Sequence, residues 1–288
     1  MEGSDPELEN YLLTLSEHPD ERNRLMPRIL TKLPWGFHPS LYVEKISNPK
    51  TRLTIRDEIL PDLIREKRFA DLEELFLESK DELDLVKGAF LLSSFSDEWS
   101  FTYEEFSDIL DTYSFRLKER FEKLENPTQT GQVQAFIRFL FKDLKFTGIT
   151  DSHSPENHYI HRVLENKKGG PIVLCILANR IAAGAGLIIP IVITAGSYLL
   201  RPLVSNEIPF IDPAQGGKIV SESEHIANVA QKGYDPSIGL IHITDTFTIY
   251  QRLARNLMQS SQMTGDTELH VQLKEFHAKI KELIRKRI

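Results

Sequence analysis

The feature that most constrains the fold of this chain is an apolar run from Pro171 to Ala183, which contains its single cysteine, Cys175. Two glycines precede the run, and apolar residues occupy nearly every side of a helix drawn over it. A helix of that kind must be surrounded by other elements. Pro171 suits the first helical turn, where its missing N–H has no intrahelical partner. The sequence therefore predicts a buried central helix that begins at Pro171.

The order of elements around this helix indicates an α+β fold that is mostly helical. Residues 1 to about 145 have apolar residues at a period near 3.6, typical of consecutive helices. A helix is predicted to begin at Ser154 and Pro155 and to end at a left-handed Gly169. Three short Ile- and Val-rich stretches after the central helix predict strands, namely "LIIPIVITAG", "SYLLRPLV" and "EIPFIDPAQGG".

The sequence also predicts three further helices after these strands. The first lies within "SESEHIANVAQKG", and two amphipathic helices run from Asp245 to Met263 and from Glu268 to Arg287. A turn around Gly265 joins the last two, which predicts a helical hairpin.

Charge and composition limit the partners that we expect. Acidic residues outnumber basic ones, 42 to 35, for a net charge of −7, which disfavours non-specific binding of nucleic acid. The most apolar stretch, Pro171 to Leu200, is interrupted by polar residues, proline and glycine, so no membrane span is expected. One cysteine forms no internal disulfide, and "MEGSDPELENYLL" lacks the pattern of a secretory signal. These observations predict a cytoplasmic protein.

Several motifs occur together and in order: Asn157 and Tyr159, the Gly-Pro-Ile start of the central helix, and "IDPAQGG". As a set they resemble the transglutaminase-like core of bacterial SirB-type proteins, best between Asp84 and Gly217. The resemblance implies an N-terminal helical array over residues 1–83 and a papain-like core with a short antiparallel sheet over 84–235. It also implies a tetratricopeptide-like helical hairpin over 236–288.

The transglutaminase-like plan implies a cysteine at the start of the buried helix, a histidine on the next strand and an aspartate on the strand after it. Those three positions fall on Pro171, Ser197 and Asp212. Proline has no nucleophilic atom, and serine exchanges no proton near neutral pH. The resemblance therefore implies a catalytically inactive protein that acts through a protein partner, as an interaction or regulatory module.

Candidate binding residues are Asn157, Tyr159, Tyr198 and Asp212. The first two are also suited to hydrogen bonds that hold their helix on the core. Asp212, which precedes a proline and a Gly-Gly pair, is suited to accepting backbone N–H groups in a turn.

An alternative hypothesis is that the protein is an enzyme, either a cysteine hydrolase or an acyltransferase. Cys175 lies four residues after Pro171 and projects from the same helix face, so it is a candidate nucleophile. His225 or His242 would be the base and Asp212 would orient it. The apolar neighbours of Cys175 favour a packing role instead, because burial makes a thiol inert.

Two weaker hypotheses concern a metal and the C-terminus. His158 and His161 have a spacing that shares one helix face, and with His153 they suggest a metal-dependent hydrolase. No fixed third ligand is evident, so we expect neither a metal nor another cofactor. The basic segment "KIKELIRKRI" suits the last turn of a helix, where positive charge complements the helix dipole. The alternative is that it binds a groove on a partner protein or an acidic membrane surface.

Overall fold

The computed structural model describes residues 5–96, 102–125, 128–149, 153–194, 197–203, 208–235 and 243–287. Over these ranges the chain is α+β and mostly helical, with a small antiparallel sheet and a C-terminal pair of helices, which confirms the predicted fold class. No helix in these ranges combines the length and the apolar character needed to cross a bilayer.

An N-terminal group of helices has a hydrophobic core of its own, built from residues such as Leu12, Ile29 and Leu63. Asp5 begins the first helix by accepting the N–H groups of Glu7 and Leu8. A π-helical segment, Ile55–Ile59, continues directly into the longest helix of the group. The helices are α1 Pro6–Glu17, α2 Arg22–Lys32, α3 Ser40–Val43, α4 Pro49–Thr54 and α5 Leu60–Glu78.

The predicted central helix is present as α10, Pro171–Gly184, and residues 172–178 are all buried. Several helices and two short strands lead up to it in the chain. They are α6 Leu85–Ser93, α7 Tyr103–Glu122, α8 Gln129–Ile137, β1 Thr147–Gly148, α9 Ile160–Asn166 and β2 Lys168–Gly169. Helices α6, α7 and α9 all contact α10, so the apolar run has neighbours on several sides.

The sheet that follows contains four antiparallel strands in chain order: β3 Ile191–Thr194, β4 Ser197–Leu200, β5 Phe210–Asp212 and β6 Lys218–Val220. Leu200 and Ile211 are register partners and both belong to the main core. Leu199 and Phe210 belong to a separate cluster with Val220. Since side chains alternate along a strand, the sheet has one face toward the main core and one toward helix α11, Glu222–Gln231.

The predicted hairpin is also present, as α12 Thr246–Thr264 and α13 Thr267–Arg285, which meet at Gly265 with φ +75°. Helix α12 packs on α6 and α13 packs on α5. Glu275 of α13 pairs with Arg65 of α5. The hairpin thus joins the N-terminal helices to the core.

The segment before the central helix differs from the prediction. Residues 155–157 form a single 3₁₀ turn, and α9 begins only at Ile160, whose N–H donates to Ser93 Oγ at 2.9 Å. The left-handed residue that ends α9 is Lys167 (φ +58°), and its Nζ donates to Leu164 O and Tyr113 Oη. Gly169 is required instead for close packing, since a Cβ there would lie 2.4 Å from Val163 Cγ2.

Candidate functional site

The start of helix α10 is covered by the segment that precedes α9. The Gly170 N–H donates to the carbonyl oxygen of Asn157 at 2.8 Å. A Cβ added to Gly170 would lie 3.2 Å from the ring of His158, so this imidazole packs directly against the helix start. Pro171 is half-buried and offers neither a nucleophilic atom nor an N–H donor.

Cys175 is fully buried within α10, at 0% exposure. Burial raises the pKa of its thiol well above the ordinary value, and the charge of Asp212 raises this pKa further. No hydrogen bond joins the sulfur to a histidine within the described ranges. The side chain is therefore a neutral, inaccessible thiol, whereas a nucleophile must be an exposed thiolate.

Ser197 and Asp212 lie on the same face of the sheet, opposite the face that packs on the main core. They alternate with Leu200 and Ile211, which belong to the main core, and so they share the face of Leu199 and Phe210. Both line a cavity of about 430 Å³ beneath helix α11, and neither Pro171 nor Cys175 lines it. Of the three family positions, Ser197 and Asp212 therefore line one cavity, and Pro171 does not line it.

Asp212 uses its carboxylate to hold the turn after β5. Its Oδ1 accepts the N–H groups of Ala214 at 2.9 Å and Gln215 at 3.2 Å, and its Oδ2 accepts from Gln215 Nε2 at 2.7 Å. Both carboxylate oxygens of Asp212 therefore accept hydrogen bonds within this turn, as expected of an aspartate that precedes a proline. Lys232 Nζ donates to Ser197 Oγ at 3.3 Å across the same cavity.

His225 is the histidine that the fold brings to this cavity. It is buried in α11, its ring centroid is 5.5 Å from that of Phe210, and its Nε2 has no hydrogen-bond partner among the described residues. Burial lowers its pKa, and the nearby Lys232 lowers it further. His225 and Asp212 thus share a cavity, without Cys175. His242, the other candidate base, lies outside the described residues.

The remaining histidines do not form a metal centre within the described ranges, where no three His, Cys, Asp or Glu side chains converge. His158 and His161 are buried, and the His161 ring stacks on Tyr159 with centroids 6.2 Å apart. His153 has its Nδ1 3.1 Å from Met263 Sδ of the hairpin. The three side chains thus have separate surroundings.

Tyr159 and Tyr198 are both held by hydrogen bonds to other elements. The Tyr159 hydroxyl donates to the carbonyl oxygen of Phe95 at 3.1 Å, and its side chain is buried. The Tyr198 hydroxyl accepts from Asn256 Nδ2 of α12 at 3.1 Å. Asn157 contributes its backbone carbonyl to the start of α10. These contacts fix the core against its neighbours.

A larger groove, of about 890 Å³, lies where α5, residues 155–159 and the hairpin meet. Arg68 crosses this groove: its guanidinium lies 3.9 Å above the Phe95 ring centroid and its Nη1 donates to Gln272 Oε1 at 2.9 Å. Phe69 and Leu269 line it as well. The sequence did not predict this groove, because it is built from three distant parts of the chain. The close spacing of Arg65, Arg68 and Phe69 is the local pattern that could have indicated it.

Comparisons with known proteins agree with this core. A family model described as "Transglutaminase-like superfamily" matches residues 104–255, just over half of the chain. Proteins named "UPF0162 protein" from two Xylella fastidiosa strains, Temecula1 and 9a5c, are each 31% identical over 94 residues. That match covers 32% of this chain and only 34% of each relative. No solved structure matches the chain. By the extent of the family match, the chain belongs to the transglutaminase-like superfamily.

Proposed function

We propose that this protein is a SirB-type, catalytically inactive member of the transglutaminase-like superfamily that works by binding another protein. Pro171 and Ser197 stand in the nucleophile and base positions. The observation that carries the proposal is the complete burial of Cys175 in α10, outside the cavity that Ser197 and Asp212 line.

The chemistry of cysteine catalysis supports this proposal. Such a mechanism needs a thiolate that substrate reaches and a base within hydrogen-bonding distance. The thiol of Cys175 has a raised pKa and no exposed surface. His225 and Asp212, the candidate base and acid, share a cavity, but neither Cys175 nor another sulfur is among the described residues that line it.

The large groove supports the protein-binding part of the proposal. Aromatic and arginine side chains are enriched where binding energy concentrates in protein interfaces, and Arg65, Arg68 and Phe69 line this groove together. Helices and hairpins that meet at such a groove are suited to an extended or helical segment of a partner. A single free thiol fits the reducing cytoplasm, where we place the protein.

Thiol labelling tests the loss of catalysis. Folded protein at neutral pH is exposed to an iodoacetamide probe, and the label is located by mass spectrometry. We expect no label on Cys175 until denaturant is added, and none at all in a Cys175→Ser control. Labelling of folded protein that disappears in a His225→Gln variant would favour the cysteine enzyme instead.

Affinity capture tests the groove with a matched pair of variants. Leu269 lines the groove, whereas Leu77 is 85% exposed on α5 and does not line it. We expect Leu269→Arg to lose the partners that the unchanged protein captures from cell extract, and Leu77→Arg to keep them. Equal capture by both variants would refute the groove as the binding site.

A further inference from the structure

The acidic residues of helix α13 lie along one side of the helix, where Lys279 and Lys286 accompany them. Glu268, Glu275 and Glu282 recur every seven residues, so they follow one side of the helix. Glu275 pairs with Arg65 of α5 and Glu282 pairs with Lys286. The acidic stripe therefore lies on the side where α13 meets the N-terminal helices.

Another side of α13 is basic. Lys274, Lys281 and Arg285 are spaced i, i+7 and i+11, which places them on a common side of α13. All three are exposed, and none makes an ion pair among the described residues. Helix α12 adds Arg255, also exposed, and the sequence of α12 contains no Asp or Glu.

His277 is buried beneath this basic side of the helix. It falls between Lys274 and Lys281, one helical turn from each. Burial is the main cause that lowers its pKa, and Lys281 and Arg255 both add to the effect, so cations from both helices approach the ring. The side chain is only 8% exposed, and its Nε2 has no hydrogen-bond partner among the described residues.

The exposed cations above His277, namely Lys274, Lys281 and Arg255, leave a surplus of positive charge, and a carboxylate forms charge-assisted hydrogen bonds with such groups. The chemistry that fits this place is therefore that of an Asp or Glu side chain.

We propose that Arg255, Lys274 and Lys281, here named the basic flank, bind an acidic segment of a partner protein. This inference rests on the proposed protein-binding function and names the chemistry of the partner. Lys274 and Lys281 are about 10 Å apart along the helix axis, a spacing that matches acids seven residues apart on a partner helix. The net charge of −7 repels a nucleic-acid duplex, with its high density of phosphates, more strongly than a short acidic segment.

The test measures binding of a fluorescein-labelled helical peptide with glutamates every three to four residues, by fluorescence anisotropy at low and physiological salt. The variant K274E/K281E reverses two charges of the basic flank. The control K50E/K118E makes the same change in net charge at two exposed lysines that form no ion pair among the described residues. We expect the first variant to bind about tenfold or more weakly, and the control to bind like the unchanged protein.

Three results would overturn the proposal: no binding of the peptide by the unchanged protein, equal binding by both variants, or tighter binding of a labelled DNA duplex than of the peptide. A version of the peptide with glutamine for glutamate separates charge from helix shape. These failures would leave the thiol and groove experiments untouched. Conversely, reactivity of Cys175 would refute the proposed function without changing the result for the basic flank.

Discussion

Gly217 approaches the ring of Phe141 so closely that a Cβ atom on Gly217 would lie 2.2 Å from Cδ2 of that ring. Its φ is +79°, a left-handed value that side chains other than glycine rarely adopt. The preceding Gly216 is also left-handed, at +64°, yet a Cβ there would meet nothing within 4 Å. Gly216 is thus required for its backbone conformation alone, whereas Gly217 is required both for its conformation and for its close packing against Phe141.

We expect Gly217→Ala to cost clearly more stability than Gly216→Ala. The second change costs about 1 kcal/mol for a left-handed alanine. Gly217→Ala adds the cost of displacing the buried Phe141, a further ~1–3 kcal/mol. Urea unfolding followed by circular dichroism measures both free energies. Similar losses for the two variants would show that Phe141 moves aside at no cost.

Arg287, in the basic C-terminal segment, holds the end of helix α5. Its Nη1 donates to the carbonyl oxygens of Phe76 at 2.9 Å and Ser79 at 2.5 Å, and its guanidinium lies 4.4 Å from the Phe247 ring centroid. We expect Arg287→Ala to lower the free energy of unfolding by about 1–3 kcal/mol, since it removes charge-assisted hydrogen bonds. Lys286→Ala, which loses only an exposed pair with Glu282, is the control and should cost under about 0.5 kcal/mol. Equal losses would mean that the segment is not anchored.

The elements that the sequence predicted well are those with local periodicity. The central helix from Pro171 and the two helices of the hairpin have long apolar patterns, and the structure confirms them. Strand β6 and the parallel pair of β1 and β2 were missed because each has only two or three residues, too few to show alternation. Their pairing is fixed by neighbours distant in sequence.

The candidate site was predictable only in part, for a similar reason. The apolar neighbours of Cys175 already favoured burial, which the structure shows. Alternation along β4 separates Ser197 from Leu200, but it does not say which of them faces α10. The placement of His225 and Asp212 around one cavity likewise depends on how α11 packs on the sheet, for which the sequence contains no local signal.

The lowered pKa of His38 predicts that the protein loses stability in mild acid. Burial, and then the charge of Arg68, lowers its pKa to about 4, against 6.5 for the ordinary side chain. Between these values the unfolded chain binds a proton that the folded protein does not, so stability falls as the pH falls through this window. At pH 5 this effect is about 2 kcal/mol relative to pH 7.

The measurement compares unfolding free energies at pH 7 and pH 5 for the unchanged protein and a His38→Gln variant. The unchanged protein should lose about 2 kcal/mol more than the variant over this interval. The comparison cancels other titrating groups, including Asp71, whose raised pKa acts in the opposite direction. Parallel losses in the two proteins would show that His38 is protonated in the folded state.

Lys67 and Asp71 form a buried ion pair one turn apart on α5, with side chains only 6% and 4% exposed. Asp71 Oδ2 also accepts the Gly36 N–H at 3.1 Å, which ties α5 to the loop before α3. Burial raises the pKa of the Asp71 carboxyl despite its cationic partner. Each charge is therefore tolerated in this place only because the other neutralises it.

We expect Asp71→Asn to destabilise the protein by about 3–5 kcal/mol, because it leaves the Lys67 ammonium buried without a counter-ion. Lys67→Met should cost less, since a carboxyl with a raised pKa is more readily neutralised by a proton. In the double variant the loss should fall short of the summed single losses by about 2 kcal/mol. Urea unfolding of the four proteins gives this coupling. Additive losses would mean that the two side chains are independently solvated, and that α5 is not held to its neighbours through this pair.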